Sequence, residues 1–219
     1  MLTSFNRIKR NIEELSEFNS TPGEGLTRFS LTKPERNARK YLKKEMEDIE
    51  KYFGFATEDG SFYNKLTVEE NIYYFGKLQK MKNKEIEKNY ETLIKLVGLD
   101  NARKTIAENL SIGMKKRLDI SCALIHSPKV LIMDEPTSGL DPVLRKEIIG
   151  LIKKIRDRGT TIILTTQILE EADDLMDNVL ILVDKKITEK GTSENIKKKY
   201  DKETINGVFK NIFEKRNSF

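Results

Sequence analysis

The sequence predicts an α/β fold built on a parallel sheet, and three observations carry that prediction. Residues 130–134, VLIMD, and residues 160–164, TTIIL, are short runs of β-branched and aliphatic side chains, the pattern of strands buried on both faces. Between them residues 142–158 have helical spacing, so strand, helix and strand follow in the order that parallel pairing needs. Asp134 and Glu135 close the first run and enter a turn ending in Ser138, Gly139, Leu140 and Asp141. Open α/β sheets bind ligands at this C-terminal end of their strands.

The remaining elements follow in chain order. Residues 1–50 predict a helix, a turn rich in Ser, Thr, Pro and Gly at 19–25, a β-like LTRFSLT and a second helix from Lys33 to Glu50. Residues 53–78, FGFATEDGSFYNKLTVEENIYYFGKL, run from a short strand into a helical pair spanning 68–97. LSIGM at 110–114 opens a helical pattern that leads into VLIMD. After the second strand, Thr165, Thr166 and Gln167 precede a helical ILEEADDLMD. SENIKKKY from Ser193 is helical, and the remainder reads as a polar tail with scattered Phe and Ile.

Composition narrows the function classes. Of 219 residues, 37% are hydrophobic and 34% charged, so the surface is heavily solvated, and no run of eighteen apolar residues is present to span a membrane. The N-terminus lacks the apolar core of a signal peptide, which makes the cytoplasm the expected compartment. The one cysteine, Cys122, lies in an apolar helical stretch and reads as a buried structural thiol. The net charge of +5 belongs wholly to residues 185–219, with ten Lys and Arg against five Asp and Glu. Aromatic residues are not interleaved with the basic ones, which argues against a nucleic-acid partner.

LSIGM, VLIMDEP, SGLD, Gln167 and the segment from Phe53 to Leu78 occur in the order and at the spacings of the ATP-binding cassette (ABC) ATPases, which the chain resembles over residues 51–200. The resemblance implies a P-loop NTPase sheet with a helical subdomain, ATP and Mg²⁺ as cofactors, and two partners, a membrane permease subunit and a second ABC ATPase subunit. It implies an exporter-type subunit on the cytoplasmic side, peripheral at the inner face of the membrane. Asp134 would hold the metal shell and Glu135 would polarise the attacking water. Gln167 stands at the switch position, where the family has histidine, and Glu58 at the Q-loop position, where it has glutamine. Ser111 and Gly113 would cap a phosphate held by the partner, and Asp141 would face that partner. Ile112 replaces the first signature glycine and Met114 the glutamine, which crowds the approach to phosphate.

No segment fits the phosphate loop G-x-x-x-x-G-K-[ST], because Gly23 and Gly25 in TPGEGLTRF are not followed by Gly-Lys-Ser or Gly-Lys-Thr. Residues 7–50 instead resemble the N-terminal stretch of zinc amidohydrolases acting on allantoate or N-carbamoyl amino acids. A single histidine, His126, leaves no ligand set for a binuclear zinc site, so zinc is not expected. The expected organisation is an amidohydrolase-like segment 1–50, an ABC-like domain 51–192 without its phosphate loop, and a basic helix and tail 193–219. The expected function is an ABC ATPase subunit, truncated and inactive alone. The alternatives are a regulatory pseudo-ATPase that completes a partner's site, or a non-functional gene fusion.

Overall fold

The computed structural model describes residues 40, 49–183 and 185–217. The helices and the LTRFSLT strand expected in the first 48 residues lie outside the described residues, Lys40 apart. The chain divides into two compact units, 1–53 and 54–219. The first is described mainly at its end, where the Tyr52 N–H donates to the Ile49 carbonyl at 2.9 Å.

The second unit carries the parallel sheet. β1 (Phe53–Ala56), β2 (Val130–Asp134) and β3 (Thr161–Thr165) lie in the order β1-β2-β3. β2 and β3 are parallel, in register from Val130↔Thr161 to Asp134↔Thr165. The second strand therefore begins and ends one residue later than its composition suggests, because pairing with Asp134 extends the ladder to Thr165. Leu131 and Met133 are fully buried and alternate with partly exposed Val130 and Ile132, as the two-residue period of a strand requires.

Helices pack on the side where Leu131 and Met133 point. α1 (Val68–Leu78) and α2 (Asn83–Leu96) form the helical pair, α3 (Ile112–Leu124) follows the LSIGM turn, and α4 (Pro142–Asp157) joins β2 to β3. Their buried residues belong to one cluster with β2. Thr67 and Glu70 start α1 with a reciprocal capping box, the Thr67 N–H donating to Glu70 Oε2 at 2.8 Å. Asn71, fully buried, donates from Nδ2 to the Tyr63 and Thr67 carbonyls at 3.0 Å and accepts from the Tyr63 N–H at 2.7 Å. It thereby anchors the connection from β1 to the helical pair. β1 needs Gly54, since a Cβ there would lie 2.3 Å from the Ala123 carbonyl oxygen of α3.

The C-terminal part is more structured than its sequence suggests. α5 (Glu170–Leu175) is shorter than ILEEADDLMD and is followed by an antiparallel hairpin, β4 (Val179–Val183) and β5 (Lys186–Gly191), then α6 (Ser193–Tyr200) and α7 (Ile205–Asn217). The expected polar tail is thus a helix. Ile205, Val208 and Ile212 recur at helical spacing and pack with Val179, Ile181 and Val183, a stripe masked in the sequence by intervening Lys, Asn and Phe. Asp173 holds this arrangement together. Its Oδ1 accepts from Lys197 Nζ at 2.9 Å and Ser193 Oγ at 3.0 Å, and its Oδ2 accepts from the Ile205 N–H at 3.0 Å.

Candidate functional site

The C-terminal ends of β2 and β3 bring the acidic residues together. β2 stops at Asp134 because Glu135 turns into the left-handed region, at φ 46°, an uncommon backbone for a residue with a side chain. In that conformation the Glu135 N–H reaches the Thr165 carbonyl at 3.2 Å and Thr165 Oγ1 at 3.3 Å. The Thr165 hydroxyl donates in turn to Asp134 Oδ1. Glu135 Oε2 accepts the Gln167 N–H at 3.2 Å. The turn residue Thr137 is fully buried, so the chain leaves the sheet in a fixed direction.

Glu58 joins this group from the loop after β1. Its Oε1 accepts from Ser138 Oγ at 3.1 Å. A cleft of about 310 Å³ lies alongside, lined by Glu58, Asp59, Phe62, Ile112, Lys116 and Ser138 among others. Asp134, Glu135, Glu58 and Gln167 are therefore gathered by the fold, with Asp134, Glu58 and Gln167 exposed and Glu135 partly so.

Ser111, Gly113 and Asp141 have local roles. Ser111 is the N-cap of α3, its hydroxyl accepting from the Met114 N–H at 3.3 Å, and it is exposed beside Ile112. Gly113 is buried, and a Cβ there would lie 3.1 Å from Leu144 Cδ2, so it permits close packing of α3 on α4. Asp141 caps α4, with Oδ1 accepting from the Val143 and Leu144 N–H groups at 2.8 and 3.0 Å. Pro142 follows in the first turn, where a missing N–H costs nothing.

Sequence reasoning passed over two residues of α3. Asp119, only 2% exposed, accepts the Thr57 N–H at 2.9 Å and the Ser61 N–H at 2.6 Å. Burial pushes its carboxyl above the usual range, against those hydrogen bonds and the nearby Lys116 charge, which act to lower it. Lys116 donates to the Glu58 carbonyl at 2.7 Å and reaches the Glu135 carbonyl at 3.5 Å. The signal was available: an acid inside the apolar run LDISCAL is either satisfied internally or costly. Cys122, one turn on, is buried, and burial pushes its thiol well up, as a structural thiol requires.

Among the described residues no cluster of three or more His, Cys, Asp and Glu side chains could cage a metal. The donor set suits Mg²⁺ all the same, since that ion takes one or two carboxylates and fills its shell with water and phosphate oxygens. Asp134, exposed at the end of β2 with the Thr165 hydroxyl on its Oδ1, is a carboxylate that could hold such an ion. No described helix is long and apolar enough to cross a membrane.

A parallel β2–β3 pair with adjacent acids where β2 ends, and a serine-capped helix leading into that strand, place the chain in the α/β class with a parallel sheet. The profile of the ABC transporter family matches residues 20–138, and the chain belongs to that family. A solved structure of the ATP binding subunit of an ABC transporter superposes with a TM-score of 0.68 at 25% identity, over 78% of this chain and 72% of that one. The linearmycin resistance ATP-binding protein LnrL of Bacillus subtilis is 34% identical over 66% of this chain and 47% of its own length. The daunorubicin/doxorubicin resistance ATP-binding protein DrrA of Streptomyces peucetius is 36% identical over 60% and 40%. ABC transporter G family member 20 of Dictyostelium discoideum is 33% identical over 74% and 22%. The chain thus spans from about a fifth to about half the length of these relatives.

Proposed function

We propose that the chain supplies the metal- and water-handling half of an ATP-hydrolysing site in an exporter-type transporter, and that it does not hydrolyse ATP alone. The observation that supports this is the convergence of Asp134, Glu135 and Glu58, linked through Thr165, Gln167 and Ser138, in a sequence with no phosphate-cradling loop. Bound Mg²⁺ neutralises charge on a triphosphate. Asp134 would hold the metal shell, Glu135 would orient the attacking water, and Glu58 would be a second carboxylate on the neighbouring loop. Gln167 can donate a hydrogen bond there but cannot exchange a proton near neutral pH. The permease and a second ATPase subunit complete the assembly at the cytoplasmic face of the membrane, a reading supported by the two relatives named for resistance.

Magnitudes decide the inactivity. Hydrogen bonds to charged phosphate contribute roughly 1.5–3 kcal/mol each, so lacking about four removes on the order of 6 kcal/mol or more. At about 1.4 kcal/mol per tenfold, affinity falls by ~10⁴ or more. Calorimetry on the purified chain should therefore show no tight Mg-ATP binding, and a Kd below about 10 μM overturns the reading.

A second reading, a pseudo-ATPase completing a partner's site, draws on the exposed Ser111 and Asp141 and the intact Ser138-Gly139-Leu140-Asp141. A change in the ATPase rate of a complete cassette on adding this chain separates the two.

A further inference from the structure

Residues 57–61, which carry Glu58, turn through Gly60 at φ 81°, with one internal backbone hydrogen bond from the Gly60 N–H to the Thr57 carbonyl at 3.3 Å. Thr57 Oγ1 and Ser61 Oγ also meet at 3.4 Å, and Ser138 Oγ holds the Glu58 side chain at 3.1 Å; the backbone of the loop is otherwise held from α3. Asp119 takes both ends of the loop, the Thr57 N–H on Oδ2 and the Ser61 N–H on Oδ1. Lys116, one turn earlier, takes the middle through the Glu58 carbonyl and also approaches the Glu135 carbonyl. One helix thus holds both acidic loops, with a carboxylate beneath one and an ammonium between the two.

A buried carboxylate carries a desolvation cost; an apolar side chain of similar volume would avoid it but leave the Thr57 and Ser61 N–H groups without this acceptor. What the acid adds is directional: two oxygens fix two N–H groups and hence the path of the loop between them. The cleft beside Glu58 leaves the loop room to move once those bonds are cut.

We propose that Asp119 and Lys116 are positioning residues that fix Glu58 relative to Glu135. The role rests on the reading of Glu58 and Glu135 as metal- and water-handling groups, and its test separates the two.

Two substitutions in the full chain, read by backbone amide NMR, provide that test. Asp119→Asn keeps the volume but leaves one accepting oxygen for two N–H donors, and Lys116→Met keeps the stem without the charge. Asp119→Asn should speed hydrogen exchange at Thr57 or Ser61 by roughly ten- to a hundredfold, with Leu131 and Met133 unchanged. Titrated Mn²⁺ should broaden the Glu58 and Glu135 amide signals together in the unsubstituted chain. In each variant, broadening at Glu58 should fall by about half or more relative to Glu135. Unchanged exchange at Thr57 and Ser61, or an unchanged ratio of broadening in both variants, overturns the proposal. If Mn²⁺ broadens neither signal in the unsubstituted chain while exchange responds to Asp119→Asn, the metal-handling reading fails and the loop clamp stands. Should Asp119→Asn fail to fold, Lys116→Met carries the same comparison from a half-buried position.

Discussion

On β2 and β3, Leu131 pairs with Ile162 and fully buried Met133 with Leu164, whereas Ile163, pointing the other way, is 52% exposed. The hairpin repeats the contrast: Val179, Ile181 and Val183 are buried against α6 and α7, while Leu180 and Leu182 on the opposite face stand well exposed. Both faces carry the same kind of side chain, so composition does not distinguish them. α1 to α4 cover one face of the three-stranded sheet, α6 and α7 one face of the hairpin, and parallel sheets are ordinarily covered on both. Asp134 and Thr165 fall on the open face of the three-stranded sheet, in register with each other beyond Ile132 and Ile163. Asp134 thus lies on the face of that sheet that the described helices leave uncovered.

Four measurements test how sharp this contrast is. Leu131→Ala on the covered face should cost about 2–5 kcal/mol in chemical denaturation, because neighbouring helices cannot collapse into the cavity. Gly54→Ala should cost ~1–3 kcal/mol, since the added methyl meets backbone oxygen and not a movable side chain. A neutral outcome would mean that β1 is not pressed onto α3.

The hairpin offers a pH test through Asp173. Burial acts to raise its carboxyl, but hydrogen bonds from Lys197, the Ile205 N–H and Ser193, with the Lys197 charge, outweigh burial and hold it below the usual range. Its folded pKa lies below the unfolded value, so its contribution is present above the ordinary carboxylate range and lost as pH falls through and below it. Melting followed from neutral to acid pH should show that loss, and Asp173→Asn should flatten it. The smallest effect belongs to the open face. Ile163→Thr should change stability by less than about 0.5 kcal/mol while reducing the binding of an apolar dye. A cost near that of Leu131→Ala would show the face to be covered after all.

Much of this was legible in residue order. VLIMDEP and TTIILT state their strands because runs of β-branched and aliphatic residues suit few other conformations, and Pro142 after Asp141 marks a helix start by capping chemistry alone. α7 was not legible: its stripe of Ile205, Val208 and Ile212 is thin and becomes a helix face only against the hairpin. Within the site, Asp134 and Glu135 were readable as adjacent acids, and Glu58 through the likeness of its segment to a Q-loop. The contacts of Glu58 with Ser138 and of Thr165 with Asp134 join residues far apart in the chain, which no local pattern encodes.

The sequence by itself determined the order of elements from β1 to α5, the family and the acids at the strand end, because periodicity, caps and adjacent motifs are local. Only the tertiary structure decided which face of each sheet is covered and that Asp119 and Lys116 of α3 support both acidic loops. Both depend on where the chain returns in space: the buried Asp119 carboxylate finds its donors in the loop 57–61, brought beside it by the packing of β1 on α3.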